Sequence, residues 1–295
     1  MQSLCEVNKK TEVDEMNEKN RKWTDNSLRL FLILVIVFSA IVETLYIFSG
    51  NGYLVILLMW VPALCAMIAG IVSINEKKET FSLKKYLLDL GFGGCRFVYI
   101  LLGFIIPLIY LLIPYMIYWT MHPNDFAYHG VALPLILSDC LPVLFIGTAA
   151  GLLTATGEEI GWRGFMVPAF IERIGLSKTL IFSGLFWALW HLPLLIFGGY
   201  MAETPLFYRI PAFILCIVPI GIIAGLLAYK SRSMWPAAIL HAAHNNLDQS
   251  ILSVITRGED MMYYVSETGM FTIICAWIIA IVMYAVIIKK EKSEG

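Results

Sequence analysis

The chain has 295 residues, of which 59% are hydrophobic and only 15% are charged, and its mean hydropathy is +0.76. Because soluble globular domains carry a charged fraction of about 25%, this composition excludes an ordinary soluble protein. The formal net charge is −1, from 21 Lys+Arg against 22 Asp+Glu. This balance argues against nucleic acid as a partner, since binding phosphates requires a concentrated basic excess.

The apolar residues are gathered into runs of about 20, the length that an α-helix needs to cross about 30 Å of hydrocarbon. Four runs are almost uniformly apolar: residues 30–50, 53–74, 97–119 and 270–288. Four others contain Pro, Gly, His or Asp: residues 133–155, 179–199, 210–229 and 234–255. We therefore predict an all-α, polytopic membrane protein with about eight transmembrane helices, and we expect its chemistry in the four less uniform spans.

The connecting segments predict how the chain is oriented in the bilayer. If the N-terminus is cytoplasmic, the segments 1–29, 75–96, 156–178, 230–233 and 289–295 are inside and contain 19 of the 21 Lys+Arg. This asymmetry is what the positive-inside rule requires. We predict that both termini are cytoplasmic and that the protein is multi-pass in a cell membrane, with a bacterial plasma membrane as the expected location.

No internal repeat or low-complexity linker divides the chain, which predicts one membrane domain. Its expected bounds are residues 30–289, between a cytoplasmic N-terminal segment, 1–29, and a cytoplasmic tail, 290–295. Residues 80–94 alternate leucines with charged side chains. This pattern suits an interfacial helix between the second and third spans, and an ordinary connecting loop is the alternative.

A first polar cluster, Glu158-Glu159-Ile-Gly-Trp-Arg163, follows the fourth predicted span. In a helix Glu159 and Arg163 are four residues apart and share a face, whereas Glu158 is turned about 100° away. One carboxylate is then neutralised and the other is left free. The alternative is a helix start in which Glu159 takes part in a capping box, but capping does not explain Glu158.

Two more clusters lie inside the fifth and seventh spans. The fifth contains Trp187-Ala-Leu-Trp190-His191-Leu-Pro193, where the proline loosens the helix beside the histidine. The seventh contains His241-Ala-Ala-His244-Asn245-Asn246, in which His241 and Asn245 share a face. Hydrogen bonds between helices are the alternative explanation. We predict that the three clusters meet in one polar chamber in the cytoplasmic half of the membrane.

The three ordered motifs resemble those of the CPBP family of intramembrane proteases. They are Glu-Glu-x-x-x-Arg, an aromatic residue four positions before a His, and His-x-x-x-Asn, and they extend from Glu158 to Asn245, about 30% of the chain. The family includes CAAX prenyl endopeptidases of the Rce1 type and bacterial Abi and bacteriocin-immunity proteins. One departure is Trp187, which stands where the family usually has Phe.

The resemblance implies an endopeptidase in which Glu158 is the general base for a water molecule and His191 assists it. It implies that His241 and Asn245 stabilise the oxyanion and that Glu159 and Arg163 brace the site. We expect His244, beside this pair, to support it. Burial of a carboxylate and donors at a developing oxyanion suit peptide hydrolysis.

The need for a metal is open at this stage. Glu158, His191 and His241 could bind zinc with an open position for water, but no HExxH motif occurs in the chain. We favour a metal-independent glutamate mechanism that requires no cofactor.

The predicted substrate is a membrane-associated protein or peptide, including a prenylated, CAAX-type one. Two other functions are compatible with the sequence. The first is a non-catalytic membrane partner, such as a bacteriocin self-immunity protein. The second is a transporter, which the scarcity of ionisable residues in the first three spans disfavours.

Overall fold

The computed structural model describes residues 21–294, so most of the predicted N-terminal segment, residues 1–20, lies outside the described residues. The described part is a bundle of helices without a β-sheet. Its β-structure is limited to one isolated bridge between Phe126 and Thr256. The predicted all-α membrane class is confirmed. The orientation of the termini stays a prediction.

Within residues 21–294, seven helical segments are long and apolar enough to cross a membrane. They are α1 (Asp25–Ser49), α2 (Tyr53–Glu76), a segment Leu83–Met121 that contains the short helix α3 (Leu83–Leu87) and the longer α4 from Phe97 to Met121, α5 (Leu133–Ile174), α6 (Leu176–Phe197), α7 (Leu206–Ser231) and a last segment, Met270–Lys290.

The seventh predicted span, residues 234–255, differs from the other seven. It forms α8 (Trp235–Asn245), which continues as a π-helix, Asn246–Leu252. Its imidazoles, amides and carboxylate make it too polar to qualify as a membrane span by composition. Most of its side chains are buried. It is therefore an interior helix that neighbouring helices shield from lipid. A short helix, α9 (Met261–Tyr264), and the long α10 (Met270–Glu294) complete the chain.

The helix α5 is much longer than predicted. The sequence places the end of the fourth span at residue 155 and residues 156–178 in a cytoplasmic segment, whereas α5 is one helix through Ile174. It passes through a π-helical segment, Ile160–Met166, in which every side chain is buried. Extra-wide turns of this kind occur often at functional sites. The predicted end of the span differs from the structure because these residues are buried between neighbouring helices, and Glu158 consequently lies inside the bundle.

Residues 80–94 contain a short helix rather than a simple loop. The helix α3 continues as a wide turn, Leu88–Phe92, which ends where Gly91 adopts a positive φ of 85°. Tyr86 and Leu90 point into the bundle, and the Gly91 carbonyl accepts a hydrogen bond from the Met234 amide at 2.9 Å. The segment therefore holds the start of α8 in place.

Glycines let several helices approach closely around α5 and α6. A Cβ on Gly184 would lie 2.7 Å from the Val218 carbonyl oxygen, and one on Gly221 would lie 2.7 Å from the Cα of Gly184. A Cβ on Gly157 would lie 2.6 Å from the Met59 carbonyl oxygen. Small residues at such crossings are typical of membrane helix packing. They bring α2, α6 and α7 within reach of the α5 carboxylates.

The helix ends form two faces that hydrogen bonds identify. At one face the Arg173 guanidinium donates to Asp25 at 2.8 Å, and the Thr24 amide donates to Ser73 at 3.0 Å. At the other face the Ala127 amide donates to the Ile255 carbonyl at 2.9 Å. We name the first the basic end; it contains the α1 start and the α2, α5 and α7 ends. The second is the far end; it contains the α1, α4 and α6 ends and the α2, α5 and α7 starts.

Replacing Gly184 by Ala is expected to destabilise the bundle by about 1–3 kcal/mol, because the new methyl group collides with the α7 backbone. Thermal unfolding of the purified protein in detergent measures the change as a lower Tm. Gly151→Ala is the matched control, since a Cβ there would first meet Ala242 at 3.7 Å, an ordinary contact. Equal Tm values for the two variants would contradict this packing.

Candidate active site

A cavity of about 290 Å³ brings the three polar clusters together. The predicted catalytic residues that line it are Glu158, His191, His241 and Asn245. The predicted supporting residue His244 lines it too, and Glu159 and Arg163 lie directly behind its wall. The expectation of a single chamber therefore matches the structure. The catalytic roles of these residues stay predictions.

The carboxylate of Glu158 is held on one side only. Its Oε2 accepts hydrogen bonds from the indole nitrogens of Trp162 at 3.1 Å and Trp187 at 2.8 Å. Within residues 21–294 no side chain or backbone group donates to its Oε1. The side chain is only 2% exposed, yet it lines the cavity. Two neutral donors thus fix a carboxylate whose second oxygen is available to a water molecule.

Glu159 forms the ion pair that its spacing predicts. Arg163 Nη1 lies 2.8 Å and 3.0 Å from its two oxygens, and neither side chain is exposed. Its Oε1 also lies 3.0 Å from Nδ1 of His241. One guanidinium nitrogen thus contacts both carboxylate oxygens, and close partners of this kind make buried charge tolerable. The pair joins α5 to α8 and orients His241 with Nε2 towards the cavity.

Trp187 connects these groups. Its indole N–H holds Glu158, the Arg163 guanidinium lies 4.6 Å from its ring centroid, and its ring lies 5.1 Å from that of His241. From the sequence, Trp187 is an aromatic residue that stands where the family usually has Phe. The structure adds a hydrogen bond to Glu158 that a phenylalanine does not form.

His191 follows the last residue of the main α6 helix, Leu176–Trp190. Its Nδ1 lies 2.9 Å from the Trp187 carbonyl oxygen. A carbonyl only accepts, so Nδ1 carries the proton and, in the neutral imidazole, Nε2 has a free lone pair. The side chain is partly exposed in the cavity. This geometry presents a hydrogen-bond acceptor to a water molecule near Glu158.

The two adjacent carboxamides differ in their partners. Asn246 donates to the Val143 and Leu144 carbonyls at 3.0 Å and 3.1 Å, so it connects α8 with α5 as interhelical hydrogen bonding would predict. Asn245 is partly exposed and lines the cavity, and no described residue forms a hydrogen bond with its side chain. Asn245 is therefore the carboxamide available to a ligand.

A second buried network adjoins the cavity and was missing from the predictions. His244 lies 2.9 Å from Glu267 through Nε2 and 3.0 Å from the Tyr110 hydroxyl through Nδ1. The Tyr200 hydroxyl donates to the other Glu267 oxygen at 2.5 Å, and its ring stacks on that of His191. Both ring nitrogens of His244 are thus engaged, which agrees with a supporting role. Through Glu267, the network connects His244 on α8 to Tyr200, whose ring stacks on His191.

Asp248 lies beside this network and is fully buried. It accepts hydrogen bonds from the Tyr115 hydroxyl at 3.1 Å and the Ser266 hydroxyl at 2.6 Å. The sequence offered a weak signal for the network, because Ser266 and Glu267 belong to a short polar segment before the last apolar run. Their contact with α8 depends on tertiary packing.

The donor set does not fit zinc. In the part of the chain that the structure describes, no group of three or more His, Cys, Asp or Glu side chains converges as metal ligands. Glu158 Oε2 is engaged by two indoles and His241 Nδ1 by Glu159, so only the other atom of each side chain, Oε1 and Nε2, faces the cavity. The metal-independent mechanism stays a prediction.

The depth of the cavity differs from the prediction. The sequence placed the chamber towards the basic end, near the expected boundary of the fourth span. The cavity instead extends from Glu158 towards the far end, where Tyr46, Val55 and Tyr200 line it. The error follows from the length of α5, since residues 156–174 continue the helix for several turns beyond Glu158.

Comparisons with known proteins agree with the motifs. Residues 140–247 match the family model of the type II CAAX prenyl endopeptidase Rce1-like proteins. A protein from the archaeon Methanococcus maripaludis, named CAAX prenyl protease 2, is 36% identical over 151 residues, which are 50% of this chain and 51% of that protein. The chain thus spans about half the length of this curated relative. The resemblance predicted from the three motifs is confirmed: the segment 140–247, which contains Glu158, His191, His241 and Asn245, matches the Rce1-like CAAX prenyl endopeptidase family model.

Proposed function

We propose that this protein is an intramembrane endopeptidase that hydrolyses a peptide bond with a water molecule activated by Glu158. The observation that carries the proposal is the one-sided anchoring of Glu158, with Oε2 held by two indoles and Oε1 facing a cavity with two imidazoles. The family match over the same residues supports it.

Glu158 acts as the general base in this proposal. Its Oε1 takes a proton from water while the water oxygen attacks the carbonyl carbon of the substrate. The lone pair on Nε2 of His191 accepts the second hydrogen bond of that water and orients it. The protonated Glu158 then donates its proton to the leaving amine nitrogen as the C–N bond breaks. One carboxyl group thus serves both proton transfers, as general acid–base catalysis requires.

Asn245 and His241 stabilise the oxyanion. The Asn245 amide is the unengaged donor of the site, and donors that are positioned before the reaction are worth about 100- to 1,000-fold in rate at such a position. When His241 is an imidazolium, its Nε2–H donates to the oxyanion while its Nδ1–H remains on Glu159. The Glu159 carboxylate balances the positive charge on the ring. Glu159 and Arg163 therefore act on the reaction through His241.

The substrate in this proposal is a membrane-associated protein or peptide. The name of the archaeal relative makes a prenylated, CAAX-type protein one candidate. The seven apolar segments make the protein multi-pass in a membrane. A bacterial plasma membrane is our proposed location.

Glu158→Gln is expected to lower peptide cleavage by at least about 1,000-fold, because general-base catalysis and the later proton transfer are both lost. The assay is cleavage by purified, reconstituted protein of an internally quenched library of peptides, including a prenylated CAAX peptide. Glu203→Gln is the control, since Glu203 is exposed in the α6–α7 loop. Full cleavage by the Glu158 variant would contradict the mechanism. A cellular function that persists without cleavage would favour a binding protein.

Trp187→Phe is expected to lower kcat/KM by about 10- to 100-fold, since a hydrogen bond to a charged group contributes about 1.5–3 kcal/mol. The fold should persist, because the family usually has Phe at this position. Trp190→Phe is the matched control: it removes an indole N–H that donates to Ser39 at 2.7 Å and leaves Glu158 untouched. Similar kcat/KM values for the two variants would show that the Trp187 hydrogen bond does not position the base.

A further inference from the structure

Among the described residues, the exposed part of the cavity wall lies at one end of the bundle. Its partly exposed wall consists of residues near the far end. Tyr46 lies in the last turn of α1, Val55 in the first turn of α2, and Gly199, Tyr200 and Met201 in the α6–α7 loop. The exposed side chain of Gln249 completes this rim. Solvent and substrate therefore reach Glu158 from the far end.

Buried groups close the opposite side. Arg163 and Glu159 are 2% and 0% exposed, and Arg163 packs on the Trp187 ring. Beyond them a Cβ on Gly161 would collide with Pro62 and one on Gly164 with Leu90, so α5 packs directly on these neighbouring segments. A separate cavity, lined by Arg163, Gly164 and Arg232, lies on the basic-end side of this layer. The layer separates the cavity from the basic end.

The positive charge of the chain lies at the closed end. Five segments hold 19 of the 21 Lys+Arg, and their described parts lie at the basic end. Among the described cations of these segments, Arg163 alone is buried inside the bundle. Of the cations that the structure describes, Arg209 and Arg257 belong to the far end, and the Arg209 guanidinium is buried against the Thr204 and Leu195 carbonyls. The positive-inside rule places the basic end in the cytoplasm.

The charge of the far-end loops has the opposite sign. Asp125, Glu203, Glu259 and Asp260 lie in the connections at this end, against Arg257. Of these, Glu203, Glu259 and Asp260 are exposed, as is Arg257. None of these four carboxylates lines the cavity. The far-end loops nevertheless carry a net negative charge, opposite in sign to that of the basic end.

From the position of the opening and the distribution of cations, we propose that the active-site cavity opens to the extracytoplasmic side of the membrane. The substrate is then an extracytoplasmic peptide, or a membrane-protein segment next to the outer leaflet, rather than a prenylated C-terminus presented from the cytoplasm. This substrate class rests on the proposed function, whereas the sidedness of the cavity does not depend on activity.

Two single-cysteine additions test the sidedness in intact cells with a membrane-impermeant maleimide. Gln249→Cys places a thiol on the cavity rim, and Lys178→Cys places a matched exposed thiol at the basic end, with the unmodified chain as the background. We expect Gln249→Cys to label in intact cells and Lys178→Cys to label only after detergent permeabilisation. Labelling of Lys178→Cys in intact cells, or of Gln249→Cys only after permeabilisation, would overturn the proposal.

A second experiment tests the substrate class with a polar, membrane-impermeant quenched peptide library. We expect cleavage by right-side-out vesicles and at least about tenfold less by sealed inside-out vesicles, since the library then meets the closed face. Cleavage by inside-out vesicles alone would overturn the substrate class. Far-end labelling without cleavage in either vesicles or detergent would instead refute the proposed peptidase function and leave the sidedness intact.

Discussion

The buried interaction among Arg163, Glu159 and His241 is the constraint on which the site depends. Charges removed from water are costly unless each has a close partner of opposite sign or a hydrogen bond. Glu159 meets this requirement because it accepts hydrogen bonds from both Arg163 and His241. These contacts hold α5 and α8 at the same depth in the bundle. Because Arg163 is engaged by Glu159, the neighbouring Glu158 keeps no cationic partner and is held only by indole donors. Two adjacent carboxylates thereby acquire different roles.

The sequence predicts the membrane fold well where composition alone decides it. Runs of about 20 apolar residues can satisfy their backbone polar groups in lipid only as helices, and seven of the eight expected spans qualify on length and composition. Composition does not predict the length of α5 or the interior position of α8. The segment Glu158–Arg163 is too polar to extend the fourth apolar run, yet Glu159 and Arg163 are paired and buried within a continuous helix. Likewise α8 is polar because protein, rather than lipid, surrounds it.

The site is predictable in proportion to how local its contacts are. The Glu159–Arg163 pair follows from helix spacing. The three motifs predict that His191, His241 and Asn245 lie in the same chamber. The hydrogen bond from Trp187 to Glu158 joins residues 29 positions apart, and the contact between His244 and Glu267 joins residues 23 positions apart across different elements. No periodicity encodes such pairs. The direction of the cavity also depends on how far α5 continues. The hydropathy of residues 156–174 does not predict this continuation.

The most direct test of this division of roles is a parallel measurement of Tm and kcat for Glu158→Gln and Glu159→Gln. We expect Glu158→Gln to keep the Tm of the unmodified protein and to lose cleavage. We expect Glu159→Gln to lower stability by about 3–5 kcal/mol, because it leaves Arg163 buried without its counter-charge. An active Glu158→Gln variant, or a Glu159→Gln variant with unchanged Tm, would contradict the different roles of the two carboxylates.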